Sequence, residues 1–401
     1  MRPFKKLISF DEAQRIAFSA ARGIDRVEIV DVQNASMRVL SSEIKATMDV
    51  PPFDRAAMDG FAVLASDTFG AGLFDFKVVK IIGSIHAGEV SDIEISSGHC
   101  VEIATGAKIP KGADAVVIVE ETERENEDVK IFKPVYPQAN VSIKGSDISK
   151  GKNVLQEGES LNPSKIGVLT SLGLESVEVY QKPKVAIIPT GNEVAEIGKE
   201  LKEGQVYNSN SYALACIAFE NGGIPVRMDI VEDTRSALES VIKKALSNDF
   251  VVLSGGSSVG ERDVLVDVVE SLGKVLFHGV QVKPGKPLLL GEVEGKPVLG
   301  TPGYPTACLI DGYVFMAPIV RQLARLPKIE RQKVSAKLSR RVVSTLGRQQ
   351  FLTVKLKDNE AIPVFKESGA ITSMAEADGY IEIPSNVDLV EKGDTVEVLL
   401  F

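Results

Sequence analysis

KVAIIPT (184–190), IPVRMDIV (224–231), DFVVLSG (249–255) and VLFHGVQV (275–282) are short apolar runs, separated by helical runs near 210–221, 234–246 and 262–272. Strands alternating with helices are joined by crossovers, so the strands run parallel and the helices cover both faces of one sheet. The stretch predicts a doubly wound α/β unit. LLLGEVEGKPVLGT (288–301) adds a hairpin turning at Glu294-Gly295, and a helix from 304 to 324, ended by Pro327, closes the unit.

Outward from this unit the pattern changes. Towards the N-terminus, FKVVKIIG (76–83), HCVEIA (99–104) and DAVVIVEE (114–121) are β-branched runs between glycine and proline turns, which predicts a mostly β module over 47–145. Before it, Ser9 precedes apolar residues at helical spacing, with Asp11 and Glu12 in the first turn where they complement the helix dipole. Residues 145–180 are turn-rich, hold one helical run at 163–173, and read as connecting structure. Beyond 332, FLTVKL (351–356), YIEIP (380–384) and DTVEVLLF (394–401) predict a small β barrel or sandwich.

The chain has 401 residues, too many for one ordinary core, and 44% of them are hydrophobic. Lys and Arg total 46 against 55 Asp and Glu, a net charge of −9, so the basic footprint of a nucleic-acid binder is missing and an anionic ligand must be met locally. No apolar run approaches the roughly 20 residues of a membrane span, and a cytoplasmic protein without membrane or nucleic-acid partners is expected. Cys100, Cys216 and Cys308 lack metal-ligand spacing and read as buried small side chains; His86, His99 and His278 are scattered. Chemistry built on thiol or imidazole is not expected.

In an open α/β sheet ligands bind beyond the carboxyl ends of the strands. Four polar loops fall there: PTGNE (189–193), VED (231–233), SGGSSVGERD (254–263), and the turns KPGKP and GTPGYP between 283 and 305. Gly255, Gly256 and Gly260 let backbone approach a ligand, while Ser254, Ser257 and Ser258 add hydroxyl donors to an anion cradle. Lys283 and Lys286 sit in a turn stiffened by two prolines, and an anion would relieve their repulsion. Pro302, Gly303 and Pro305 form a second rigid turn into a helix N-terminus. Glu193, Asp233 and Asp263 lie on three strand ends, and carboxylates converging beside an anion site need a cation, for which Mg2+ is the natural candidate. In the β module, PPFDRAAMDGFAV (51–63), with Asp59, has no clear period, and EIATGAKIPKGADAVVIVEE (102–121) interrupts two strands with Thr105-Gly106-Ala107 and Lys108. The bland alternative for each segment is an ordinary turn or cap.

Taken in order, PPFDRAAMDGFAV, TGAKIPKGADAVV, KGSDI (144–148), PTGNEV, DIVED, SGGSSVGERD, VKPGKP, GTPGYPT, MAEADGYIEIP and EKGDTVEVLL resemble the molybdopterin molybdenumtransferases, the MoeA family, and the related gephyrin E domain. The resemblance covers nearly the whole chain. It implies an elongated homodimer whose subunit divides into an N-terminal helix (1–26) packing on a MogA-like α/β domain (182–327), a connecting domain (27–46 and 146–181), a mostly β domain (47–145) and a C-terminal β domain (328–401). It also implies insertion of molybdate, or tungstate, into adenylylated molybdopterin, with Mg2+-dependent hydrolysis of the phosphoanhydride and release of AMP.

By the same resemblance Asp59, Thr105 and Asp147 face the ligand from one subunit, and Glu193, Asp233, Asp263, Lys283, Lys286, Pro302 and Pro305 from the α/β domain of the other, with Thr190 and Gly191 in the cradle. Asp147 is selected by the resemblance alone. Other cofactor-biosynthesis proteins are possible partners. The chain departs from many relatives at Tyr304, where an asparagine is usual, and at Asn192, where an acid is usual. A pterin adenylyltransferase, for which an isolated α/β unit would suffice, and a non-enzymatic scaffold of the gephyrin type are the alternative readings.

Overall fold

The computed structural model describes residues 7–255, 264–366 and 369–401. These form two compact units: one runs up to Ile29 and includes Met37–Ser41 and Glu178–Phe401, the other holds Val30–Ser36 and Ser42–Val177.

In the first unit the α/β sheet has strands β1 (Lys184–Pro189), β2 (Ile224–Arg227), β3 (Phe250–Ser254), β4 (Lys274–His278), β5 (Leu289–Val293) and β6 (Lys296–Thr301), in the order 2-1-3-6-5-4. β2, β1, β3 and β6 are parallel, while β5 runs antiparallel to β6 and β4. The expected hairpin is present, with Glu294 at φ 51° and Gly295 at φ 74°, the two positive angles of a type I′ turn.

The helices are α1 (Phe10–Ala20), α2 (Asn210–Glu220), α3 (Arg235–Ala245), α4 (Val264–Leu272), α5 (Pro305–Asp311) and α6 (Ala317–Leu323). Alternate residues of β1 and β3 serve opposite faces. Val185, Ile187, Phe250 and Val252 pack in one core with α1, α2, α5 and α6; Ala186, Ile188, Val251 and Leu253 pack in another with α3 and α4. Burial on both faces explains why these strands are apolar throughout rather than alternating. Ser9 caps α1 by accepting from the Glu12 N–H at 3.2 Å.

Two expectations are corrected. The closing helix is not uniform: a π turn at Gly312–Met316 joins α5 to α6, just ahead of Pro318, which brings no N–H to the ladder. It ends at Leu323, and Arg325 takes the left-handed conformation (φ 57°) before Pro327. Cys100 and Cys308 are buried, but Cys216 is exposed, because α2 buries Ser211, Leu214, Ile217 and Ala218 and position 216 falls on the opposite face.

The C-terminal strands Lys333–Leu338, Gln349–Lys357, Glu360–Pro363, Gly379–Ile383 and Thr395–Leu400 form a closed barrel rather than a sandwich. The nine-residue strand Gln349–Lys357 decides this by pairing with Glu360–Pro363 on one side and Gly379–Ile383 on the other, which leaves no open edge. Phe351 and Tyr380 join the core beneath α5 and α6, and Val282–Lys283 adds to the barrel by pairing in parallel with Gln349 and Gln350.

The second unit is built on a six-stranded sheet in the order Ala115–Ile118, Gly60–Val63, His99–Ile103, Lys77–Ile85, Asp128–Ile131, Thr122–Glu125. Its helix Pro163–Ser171 starts at Asn162, whose side chain accepts from the Lys165 N–H at 3.0 Å, with Pro163 in the first turn. Among the described residues no helix is long and apolar enough to cross a membrane.

Candidate functional site

The carboxyl ends of the four parallel strands are laced into one rim. Gly191 N–H donates to Val231 O at 3.1 Å, Thr190 N–H to Ser254 O at 3.0 Å, and Gly255 N–H to Thr301 O at 3.1 Å. Thr190, Gly191, Ser254, Gly255, Pro302 and Gly303 are thereby neighbours on one surface. Gly255 (φ 103°) requires glycine: a Cβ there would meet Thr190 O at 2.5 Å, and one on Gly303 would touch the Gly255 Cα at 3.8 Å. Pro305 is the first residue of α5, where its missing N–H costs nothing. Gly256, Ser257, Ser258, Gly260 and Asp263 lie outside the described residues, so the cradle is seen only at its Gly255 end.

Two carboxylates stand on this rim. Glu193 folds back over Gly191, where a Cβ would lie 2.7 Å from Glu193 Oε2. Asp233 is half-buried, and its Oδ1 has no hydrogen-bond partner among the described residues. Burial raises the Asp233 carboxyl above its ordinary range, the Thr190 hydroxyl opposes this, and the Glu193 carboxylate beside it raises it further. A half-buried carboxylate with an orphaned oxygen and a second carboxylate beside it is a group that a hard divalent cation relieves, although among the described residues no three such side chains come together.

Lys283 and Lys286 flank Gly285 (φ 104°) in the second turn on this side, and Lys283 Nζ donates to Thr345 Oγ1 of the C-terminal domain at 3.3 Å. Under the turn lies Asp311, fully buried, with neither carboxyl oxygen partnered among the described residues. A Cβ on Gly285 would come within 2.3 Å of Asp311 Oδ1. Burial holds the Asp311 carboxyl far above its ordinary range. Asp311 and Thr345 escaped the sequence reading; a lone acid inside the apolar run CLIDGYVFM is the one signal that pointed to Asp311. Asn210 also escaped it: Nδ2 donates to Gly303 O at 2.9 Å while its Oδ1 is buried without a partner among the described residues.

In the second unit the three motif segments meet. Strand Arg55–Ala56 pairs with Val141–Ser142 on one side and bridges to Lys108 on the other; Ala56 N–H donates to Ala107 O at 2.9 Å and Gly106 N–H to Ala56 O at 2.8 Å. Asp59 Oδ1 accepts from Thr105 N–H at 2.7 Å and from Thr105 Oγ1 at 2.8 Å. These bonds, the backbone one first, hold the exposed Asp59 carboxyl below its ordinary range. The Asp147 loop joins the group through its backbone, with Asp147 N–H donating to Val50 O at 3.1 Å, and its side chain is exposed. Gly60, next to Asp59, admits no side chain because a Cβ would fall 1.9 Å from Val117 O.

Three family descriptions match the chain in order: the MoeA N-terminal region (domains I and II) at 8–173, a probable molybdopterin binding domain at 186–322, and the MoeA C-terminal region (domain IV) at 335–401. The chain belongs to the MoeA family. A Methanocaldococcus jannaschii protein provisionally named for molybdopterin biosynthesis is 39% identical over the full length of both chains. A molybdopterin molybdenumtransferase of Staphylococcus aureus is 32% identical, covering 92% of this chain and 90% of its own. The crystal structure of a molybdopterin biosynthesis MoeA protein from Pyrococcus horikoshii superposes with TM-score 0.82 at 40% identity, covering 98% of this chain and 99% of that one. This MoeA chain is therefore a transferase of molybdenum cofactor biosynthesis. Its departures both reach the surface: Asn192 is exposed, and Tyr304 is 65% exposed with its ring against Gly369.

Proposed function

We propose that this MoeA-family transferase inserts molybdate, or its analogue tungstate, into adenylylated molybdopterin with cleavage of the phosphoanhydride by water and release of AMP. The observation that carries the reading is the laced rim with its Glu193–Asp233 pair and orphaned Asp233 oxygen, opposite in charge to the Lys283–Lys286 turn. Glu193 and Asp233, with Asp263, would hold Mg2+, which when bound supplies Lewis-acid stabilisation of phosphoryl oxygens. Gly255 and Gly303 let the pterin phosphate approach backbone, and Lys283 and Lys286 attract the anionic groups through charge-assisted bonds. Asp59, whose Oδ1 already accepts from Thr105 N–H and Oγ1, would orient a donor on the substrate. Asp59, Thr105 and Asp147 would complete the site of a partner subunit in a cytoplasmic homodimer.

The test is molybdate-dependent AMP release from adenylylated pterin. Asp59→Asn, Lys283→Ala and Asp233→Asn, each checked for retained fold, are expected to lose about two orders of magnitude or more in turnover, the usual scale for removing a preorganised charged group. Undiminished turnover in all three overturns the assignment. Consumption of ATP with free pterin in the absence of molybdate would point to the adenylyltransferase instead.

A further inference from the structure

A polar cluster lies behind the carboxylate pair and belongs to neither lysine turn nor cradle. The loop after β1 doubles back on itself: Val194–Ala195 pairs in parallel with Val206–Tyr207, Val206 N–H donates to Glu193 O at 2.9 Å, and Asn208 N–H to Ala195 O at 2.8 Å. Three residues past Glu193, Glu196 collects several donors. Its Oε1 accepts from Tyr212 Oη at 2.6 Å and Arg227 Nη2 at 3.2 Å, and its Oε2 from Asn208 Nδ2 at 3.3 Å. The Arg227 guanidinium lies over the Tyr212 ring, 3.4 Å from its centroid, and Nε donates to Ser211 Oγ at 3.3 Å. The Tyr212 hydrogen bond is the largest influence holding the Glu196 carboxyl below its ordinary range.

The topology gives this cluster a task. Arg227 is the last residue of β2, on the segment that leads to Asp233; Glu196 follows Glu193 on the segment that leaves β1. The pair thus ties together the two loops whose carboxylates repel across the rim. As a contribution to global stability it is small, because Arg227 and Glu196 are 30% and 31% exposed and water screens such pairs. The stacked ring and multiple donors nonetheless fix both loop stems in one geometry, which is what a cation with strict ligand distances requires.

We propose that Glu196, Arg227 and Tyr212 form a clamp that sets the separation of Glu193 and Asp233 for a divalent cation, as positioning residues that do not touch it. This rests on the reading that Glu193 and Asp233 hold the cation. The test uses the full-length chain and Mn2+ as probe, followed by titration calorimetry beside thermal melting. Glu196→Gln is expected to weaken Mn2+ binding about tenfold, the usual cost of losing a partner that orients a ligand. Its melting temperature should stay within about 2 °C of the parent, as befits an exposed pair. Tyr212→Phe, which removes only the 2.6 Å bond, should fall between the two.

In turnover assays the Mg2+ concentration for half-activation should rise in Glu196→Gln while kcat at saturating Mg2+ is kept. Unchanged Mn2+ affinity in Glu196→Gln and Tyr212→Phe, with loss in Glu193→Gln, overturns the clamp and leaves the carboxylate pair standing. Weakened affinity together with a large drop in melting temperature in both clamp variants marks a merely structural cluster and also overturns it. Mn2+ binding that survives Glu193→Gln and Asp233→Asn defeats the underlying reading instead.

Discussion

Two carboxyls show how environment divides one chemistry into opposite roles. Asp59 is exposed and accepts two bonds from Thr105, which favour its charged form; Asp311 is buried without a partner among the described residues, which favours its neutral form. Thr105→Val removes the hydroxyl bond, and the Asp59 carboxyl should then titrate closer to its ordinary range, as carbon-detected NMR of labelled aspartate would show. For Asp311 the folded-state pKa lies above the unfolded value of about 3.9. The native state then binds more protons than the unfolded one, so the stability tied to Asp311 is present below about pH 3.9 and is lost as pH rises towards the folded value. Over that window the parent should lose about 1.4 kcal/mol per pH unit relative to Asp311→Asn. Denaturant titrations of both proteins at several pH values check the slope; parallel curves would contradict it.

At the scale of elements, the site depends on how strands end. β1, β3 and β6 stop together because the first N–H after β1 and after β3 is donated to the last carbonyl of the next strand, Ser254 O and Thr301 O, and glycine at 255 allows the chain to turn without a Cβ striking Thr190. Gly255→Ala places a side chain at φ 103° and 2.5 Å from a carbonyl oxygen, so a loss of about 1–3 kcal/mol is expected for the backbone conformation alone. Chemical denaturation measures it; a neutral substitution would mean that the rim is looser than these contacts imply. The π turn in the closing helix belongs to the same scale, since Pro318 removes one donor and α5 and α6 keep their buried face by widening between them.

The whole molecule carries separate cores. Leu214 and Phe250 belong to the core of the α/β sheet, while Val117 and Val129 belong to that of the mostly β sheet in the other unit. Two-state unfolding is not expected for such a chain. Leu214→Ala and Val117→Ala should each cost about 2–4 kcal/mol by leaving a cavity, but should move different unfolding transitions in calorimetry. A single transition shifted equally by both would show one cooperative block.

The alternation of apolar runs with helical stretches was enough to determine the doubly wound sheet and the hairpin at Glu294-Gly295, and Ser9 ahead of two acids was enough to mark the start of α1. Each of these follows from residues within one or two turns of each other, so it is written in local order. The glycine-rich loops could be placed at the strand ends for the same reason. What local order does not contain is which distant groups meet. Asp59 finds Thr105 across 46 positions, Asp311 lies under Gly285, and Lys283 reaches Thr345 only once the barrel has packed on the α/β core. The choice of barrel over sandwich likewise rested on pairing both edges of Gln349–Lys357. Burial and hydrogen-bond satisfaction are properties of the folded surroundings, and they alone turned Asp311 from a helix acid into a buried group whose neutral form is favoured and Glu196 from a surface charge into a clamp.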